Sequence, residues 1–480
     1  MGSIEGGYTM PFIINGQEYR PEKTFDVVSP RTGAVTHRCG SASVDDARRA
    51  VDAAAAAFPS WRQTVPSARR DIFLKAADVM ETRRGELIGY LTAETGGTEA
   101  WANFNINTTI DIIRDVAGRI ATIEGSYIQQ TKTPGVSALI TNEPYGVVLS
   151  IAPWNAPYIL GTRSVAYPVA AGNTVVLKGT ELAPRTMWAI ASVFQEAGLP
   201  SGVINTISHE PAAAVAVTGA LITDPRVKKI NFTGSTNVGR AIGRLAGENL
   251  KPAILELGGK APAIVWEDAN LDTAALQCAL GAFLNSGQIC MSTERILVHS
   301  GVKDAFTAKL SQAIENVFPA SGPAPVLINT AAVDKNKRLL EDARSKGASV
   351  LFGDADAHEE GKAMMRPVVL GGVTPDMDIY HTETFGPTVS IIEVGTEDEA
   401  VRIANDTEYG LTSAVFTEDL RRALRLAGRI DAGAVHINSM SVHDEPALPH
   451  GGAKASGFGR FNASSGLQEW YWTKNVTFNN

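Results

Sequence analysis

Between Tyr145 and Leu257 short apolar, β-branched runs alternate with helical patterns, and this alternation constrains the fold more than any other feature of the chain. A strand that reaches its neighbour through a helix runs parallel to it, so the pattern predicts a parallel sheet with crossover helices. Strands are expected at 146–152, 174–178, 203–207, 229–233 and 253–257. A second stretch of the same character runs from Ala263 to about His436, with strands near 263–265, 295–298, 349–352, 389–394 and 413–416. At 480 residues the chain exceeds one ordinary core, and about 150 residues per domain allows two or three.

The flanking segments read differently. Residues 12–28 alternate around the turn signal Asn15-Gly16, as a hairpin does, and amphipathic helices are expected at 43–58, 67–84 and 86–96. Trp101 and Phe104, three residues apart, share a helical face and read either as a core pair or as one wall of a substrate pocket. Residues 126–142 and 470–478 have the character of exposed ribbons whose edges invite pairing with another subunit, so a homo-oligomer is expected.

Composition removes several classes. Lys+Arg 43 against Asp+Glu 51 gives a net charge of -8 without a basic block, which argues against nucleic acid and for a small-molecule partner. Cys39, Cys278 and Cys290 are too few and too scattered for a disulfide framework or a zinc site, so no metal is expected and a reducing compartment is. No apolar run approaches the ~18 residues of a membrane span. The opening residues lack a signal pattern, and Gly2-Ser3 resembles an acylation start only until Gly6, so the reading is cytoplasmic.

Ligands of parallel sheets bind at the carboxyl ends of the strands. Pro153-Trp154-Asn155 follows the first expected strand and offers a side-chain amide. Lys178-Gly179-Thr180-Glu181 follows the second, where a carboxylate accepts hydrogen bonds from ribose hydroxyls and repels a 2′-phosphate, which favours NAD over NADP. Phe232-Thr233-Gly234-Ser235 precedes a helix whose N-terminus suits pyrophosphate, although Gly234 and Gly239 do not make the G-x-G-x-x-G spacing and a plain helix cap reads equally well. Glu256 sits in an apolar run before Gly258-Gly259-Lys260; it must be hydrated, raised in pKa as a general base is, or ion-paired. Cys290, in N-S-G-Q-I-C-M-S, reads as nucleophile or structural thiol alike. Glu383-Thr384-Phe385-Gly386-Pro387 adds a carboxylate and an aromatic beside a turn, and residues 317–327, with three prolines, read as a surface connection.

Taken together, P-W-N at 153, L-K-x-x-E at 177, F-T-G-S at 232, L-E-L-G-G-K at 255, G-Q-I-C at 287, E-x-F-G-P at 383 and G-G-x-K-x-S-G-x-G-R at 451 resemble the NAD(P)-dependent aldehyde dehydrogenase superfamily over essentially the whole chain. The resemblance implies an α/β fold with a Rossmann-like NAD-binding domain (1–125 and 143–254), a second α/β catalytic domain (255–450) and a small β oligomerisation arm (126–142 and 465–480) building a homodimer or homotetramer. It implies Cys290 as nucleophile, Glu256 as general base and Asn155 as oxyanion donor. Lys178 and Glu181 would hold the ribose, Gly234 and Ser235 approach the pyrophosphate, Glu383 and Phe385 position the nicotinamide end, and Trp154 and Thr233 line the cofactor site. Glu256 points to water as the acyl acceptor, hence to a carboxylic acid product.

Residues 177–179, 441–445 and 459–461 resemble the branch acting on benzaldehyde, vanillin and salicylaldehyde. In that setting Trp101 and Phe104 would stack on a ring. Arg163 would meet an aldehyde oxygen or ring hydroxyl, with an ion pair or carbonyl cap as the alternative. A broad aliphatic or semialdehyde dehydrogenase and a silent relative that only binds are the competing readings. Departures from the family pattern are Gly179, Thr382, His450 and Phe461. The last stands where many members carry a glutamate that assists proton movement, which leaves Glu256 to act alone.

Overall fold

The computed structural model describes residues 8–357 and 362–479; Gly2, Ser3 and Gly6, which carry the reading of the opening residues, lie outside them. The first stretch of alternating pattern forms the strands Val147–Ile151, Thr174–Lys178, Ile204–Ile207, Val227–Thr233 and Ala253–Glu256, mutually parallel and buried almost throughout. Strands covered on both faces need continuous apolar runs rather than alternation, which is what these segments supply. The sheet has eight strands, closed at one edge by the hairpin Phe12–Ile14 and Gln17–Tyr19 and at the other by Gly457–Phe458. Turning that hairpin, Asn15 and Gly16 both have positive φ.

The second sheet has seven strands, in the order Ser349–Phe352, Val368–Gly371, Thr388–Val394, Thr293–His299, Ala261–Val265, Thr412–Phe416 and Ala434–Ile437. Only the first of these runs antiparallel to its neighbour. Val368–Gly371 and Ala434–Ile437 were not expected from sequence. The first is short and lies between Pro367 and Gly371-Gly372, and the second is a half-buried edge.

The expected break between residues 254 and 255 is corrected, because it falls inside Ala253–Glu256, a strand of the first sheet. The chain crosses between sheets at Gly258-Gly259-Lys260, and the returning Gly457–Phe458 pairs antiparallel with Leu255 and Glu256. Glu256 therefore stands on the seam between the two sheets.

Two helices matter for the site. Glu99–Arg119 is capped by Thr98, whose hydroxyl accepts from Trp101 N at 3.1 Å, and it packs on Pro157–Ala170. Every residue of Pro157–Ala170 is buried, since the helix lies between the first sheet and the helical layer. The ribbons at 126–142 and 470–478 meet each other: Tyr471–Asn479 pairs antiparallel with Val136–Pro144 over nine residue pairs, and Ser126–Ile128 adds a third strand. Tyr127, Ile128, Leu139, Trp472, Val476 and Phe478 remain exposed on this arm. Among the described residues no helix is long and apolar enough to cross a membrane.

Candidate active site

Helix Leu271–Phe283 ends in a turn where Asn285, Ser286 and Gly287 take φ of 48°, 60° and 72° in succession. Left-handed backbone is unfavourable for a serine, so the surroundings must hold it. They do: Ser286 Oγ donates to the Val326 carbonyl at 3.0 Å, Asn285 Nδ2 donates to the Asn155 carbonyl at 3.1 Å, and Gln288 Nε2 donates to the Asn285 carbonyl at 3.1 Å. Gly287 has no substitute, because a Cβ there would lie 2.1 Å from the Gly386 carbonyl oxygen. The turn delivers Cys290 to the seam, so close to Gly259 that a Cβ on that glycine would stand 2.2 Å from the Cys290 carbonyl oxygen.

Asn155 reaches the same point from the end of Val147–Ile151. Its Nδ2 donates to the Gln288 carbonyl at 3.0 Å, which uses one N–H and leaves the second for a ligand. Burial, and after it the charge of Glu256, pushes the Cys290 thiol well up. Glu256 goes the other way. Burial opposes its charge, but His450 and Arg163 outweigh burial and hold the carboxyl below its ordinary range. An ionised carboxylate beside a thiol is thus the resting state. The expectation of a raised or hydrated Glu256 is corrected: Arg163 Nη2 lies 3.2 Å from Glu256 Oε2, and both side chains are 1% exposed.

Arg163 is likewise corrected as a pocket residue. It bridges Glu256 and Asp444, the latter at 3.0 Å, and its guanidinium lies 4.4 Å from the centre of the Phe461 ring, so it stands behind the carboxylate rather than on a cavity wall.

The other strand-end residues do not line the cavity that Cys290 lines. Thr233 is the register partner of Glu256, and Gly234 N donates to the Glu256 carbonyl at 3.1 Å. Ser235 precedes helix Thr236–Glu248 without capping it through its side chain, which leaves the first N–H groups of a 13-residue helix available to an anion. Lys178 ends Thr174–Lys178, two strands away from that of Thr233, and Glu181 follows it; burial lowers the Lys178 pKa. Trp154 meets the Phe385 ring edge-on at 5.8 Å. Glu383 accepts from Gly259 N at 2.9 Å, and burial raises its pKa to about 7. Behind that turn Glu294, paired with Lys260 at 2.6 Å, accepts from both the N–H and the hydroxyl of Thr384.

Cys290 itself lines a cavity of about 660 Å³. Trp101 and Phe104 stack there at 5.3 Å, the first buried with its indole N–H donating to the Asn155 carbonyl at 3.1 Å, the second 47% exposed. Ile159, Leu160, Phe283, Ile289, Met291, Met440 and Val442 complete an apolar lining that sequence reasoning did not identify. Nor is the segment 317–327 only a surface connection: Phe318, the three prolines and Val326 form one wall, and Leu327 is buried. Its apolar residues between prolines were the available signal.

A model of the aldehyde dehydrogenase family matches residues 17–476. The chain belongs to this family. This aldehyde dehydrogenase is 43% identical to a vanillin dehydrogenase of Pseudomonas sp. strain HR199, over 98% of each chain. Its fold matches a salicylaldehyde dehydrogenase from Pseudomonas putida G7, solved with salicylaldehyde, at TM-score 0.94 and 38% identity over 98% of each chain. An NAD-dependent aldehyde dehydrogenase from Sinorhizobium meliloti matches at TM-score 0.94 and 34% identity, over 99% of this chain and 96% of that one.

In this aldehyde dehydrogenase the departures His450 and Phe461 gather around Glu256. Phe461 supports Arg163, and His450 Nε2 stands 3.9 Å from Glu256 Oε1. Glu256, which Phe461 was expected to leave to act alone, thus has Arg163 and His450 as neighbours. Among the described residues no group of three or more His, Cys, Asp or Glu side chains could hold a metal ion.

Proposed function

We propose that the enzyme oxidises an aromatic aldehyde of the benzaldehyde, vanillin or salicylaldehyde type to its carboxylic acid with NAD. The carrying observation is the apolar cavity, with its stacked Trp101 and Phe104, opening directly on Cys290. A flat ring fills such a slot with little loss of conformational freedom. The vanillin and salicylaldehyde dehydrogenases among its relatives support the same class.

In this reading Glu256 takes the Cys290 proton and the thiolate attacks the carbonyl carbon. The free N–H of Asn155 and the Cys290 backbone N–H stabilise the oxyanion, each worth about 3–4 kcal/mol in the barrier. Bound NAD supplies the hydride acceptor that turns the thiohemiacetal into a thioester. Once Glu256 has released that first proton it draws another from water, which attacks the acyl carbon; the C–S bond breaks, and the Cys290 sulfur takes up the proton from water as the acid leaves.

The residues present suit NAD. Gly234 and the uncapped helix behind Ser235 would receive the pyrophosphate, Lys178 and Glu181 the ribose, and Glu383 and Phe385 the nicotinamide end, with Trp154 and Thr233 lining the cofactor site. Glu181 disfavours a 2′-phosphate. The apolar side chains exposed on the three-stranded arm support a homodimer or homotetramer, and three free thiols suit a reducing cytoplasm.

The test is an aldehyde panel with NAD and NADP. Salicylaldehyde, vanillin and benzaldehyde should exceed hexanal and succinic semialdehyde in kcat/KM by about tenfold or more, with NAD preferred. Equal values across the panel would overturn the aromatic reading.

A further inference from the structure

The two oxygens of the Glu256 carboxylate are not equivalent. Oε2 is engaged by Arg163, whereas Oε1 is buried with no hydrogen-bond partner and faces His450 Nε2 at 3.9 Å. On the other side of the imidazole, Nδ1 stands 3.9 Å from Asp444 Oδ1. Asp444 is itself held by Arg163 at 3.0 Å and by Asn462 Nδ2 at 2.6 Å. Two backbone bonds clamp His450: its N–H donates to the Phe461 carbonyl at 2.8 Å and its carbonyl accepts from Phe461 N at 2.7 Å. The histidine therefore sits in a row, carboxylate, imidazole, carboxylate, whose inner end is 1% exposed and whose outer members are 10% and 12% exposed.

Proton accounting gives this row a task. On the reading of Cys290 and Glu256 above, the carboxylate takes one proton when the thiol becomes a thiolate. Hydride departure then leaves a thioester and a protonated Glu256, which cannot draw a proton from water. That first proton must leave before hydrolysis begins. The second, taken from water, returns to the Cys290 sulfur when the C–S bond breaks. One proton per turnover must therefore be exported from a carboxyl walled off by Arg163, Phe461 and the Cys290 loop. An imidazole both accepts and donates a proton near neutral pH, and a carboxylate on its far nitrogen orients it and stabilises the cation it forms.

We propose that His450, oriented by Asp444, is the relay for this proton: the imidazole releases one proton toward the cavity mouth and receives that of Glu256 Oε1 in exchange. A movement of about 1 Å brings Nε2 and Oε1 into hydrogen-bond range. Asp444 also lines the cavity, so the outer end of the row meets solvent there. The other charged or titratable groups around the imidazole are Arg163, already paired to both carboxylates, and His436 and His443, whose rings lie 5.0 Å apart. His450 touches no reacting atom in this scheme; it acts through Glu256.

Stopped-flow measurement of NADH with benzaldehyde separates the half-reactions. His450→Ala should keep the first-turnover burst while its steady-state rate falls about tenfold or more. Imidazole added to the buffer should restore most of that rate. His450→Phe, with a ring filling the space, should show the deficit without rescue, and His450→Gln, which keeps much of the volume, should show the same split. A steady-state rate within about twofold of wild type in His450→Ala would overturn the relay. So would an equal loss in burst and steady state that imidazole does not lift while Tm is unchanged. A wild type that forms NADH from none of the aldehydes of the panel would overturn both the relay and the reading of Cys290 and Glu256 on which it rests.

Discussion

The two sides of Cys290 are built from different materials. The side assigned to the cofactor is mostly backbone: strand ends in fixed register, Gly234 N bound to the Glu256 carbonyl, and glycines at 258, 259 and 287 whose Cβ atoms would strike Glu383, Cys290 and Gly386. The side of the proposed aldehyde cavity is mostly side chain, gathered from helix Glu99–Arg119, helix Pro157–Ala170, the proline-rich segment after Val317 and the loop around Val442. Backbone sites depend on a few residues at set spacing. A cavity lined by apolar side chains asks only for volume and hydrophobicity, so its occupant can change without disturbing the fold.

The contrast can be broken at its centre first. Cys290→Ala should lower NADH formation by about 10⁴-fold or more while NAD binding, followed by cofactor titration, is kept. Residual turnover near wild type would remove Cys290 from the chemistry. Glu256→Gln should lower steady-state turnover by about 10²–10⁴-fold and let the acyl-enzyme accumulate, visible as a mass increase on Cys290 after acid quench; ordinary turnover there would exclude it as the base.

A paired measurement sharpens the comparison itself. Phe104→Ala should cost about tenfold in kcat/KM for salicylaldehyde and little for hexanal, leaving the KM for NAD unmoved. Glu181→Ala should raise the KM for NAD about tenfold and leave aldehyde selectivity as it was. Crossed effects, with Phe104 moving NAD or Glu181 moving the aldehyde, would mean that the two sides are coupled rather than separately built.

The smallest effect concerns Glu383. Its pKa is raised from 4.5 to about 7 by burial, so between those values the folded state holds more protons than the unfolded one. Stability must then fall as pH rises through that window, and the penalty is complete above it. Glu383→Gln should raise Tm by about 1–2 °C at pH 8 and by nothing measurable at pH 4.5. A gain of equal size at both pH values would show that the carboxyl is not titrating there.

Much of this molecule could be read in advance where local pattern and tertiary role coincide. Buried parallel strands require apolar runs, so Val147–Ile151, Thr174–Lys178 and Val227–Thr233 were legible, as was the helix start at Ser43, where Asp46 completes a capping box. Short or half-buried strands such as Val368–Gly371 and Ala434–Ile437 lacked that signal. Arg163 illustrates the other limit. A buried arginine is equally compatible with a ligand, a carbonyl or an ion pair until its neighbours are known, and those neighbours, Glu256, Asp444 and Phe461, lie 93 to 298 residues away.

The sequence by itself determined the family, the parallel sheets and the order in which Asn155, Glu256 and Cys290 follow strands or a helix, because strand ends and glycine turns leave short signatures wherever backbone geometry is demanding. Only the tertiary structure decided what surrounds those residues. It decided that Glu256 rests as an ion-paired anion, that His450 faces its one unpartnered oxygen, and that the segment after Val317 walls the cavity on Cys290. Such facts depend on distances between side chains far apart in the chain, and charge and burial act through space rather than along the sequence.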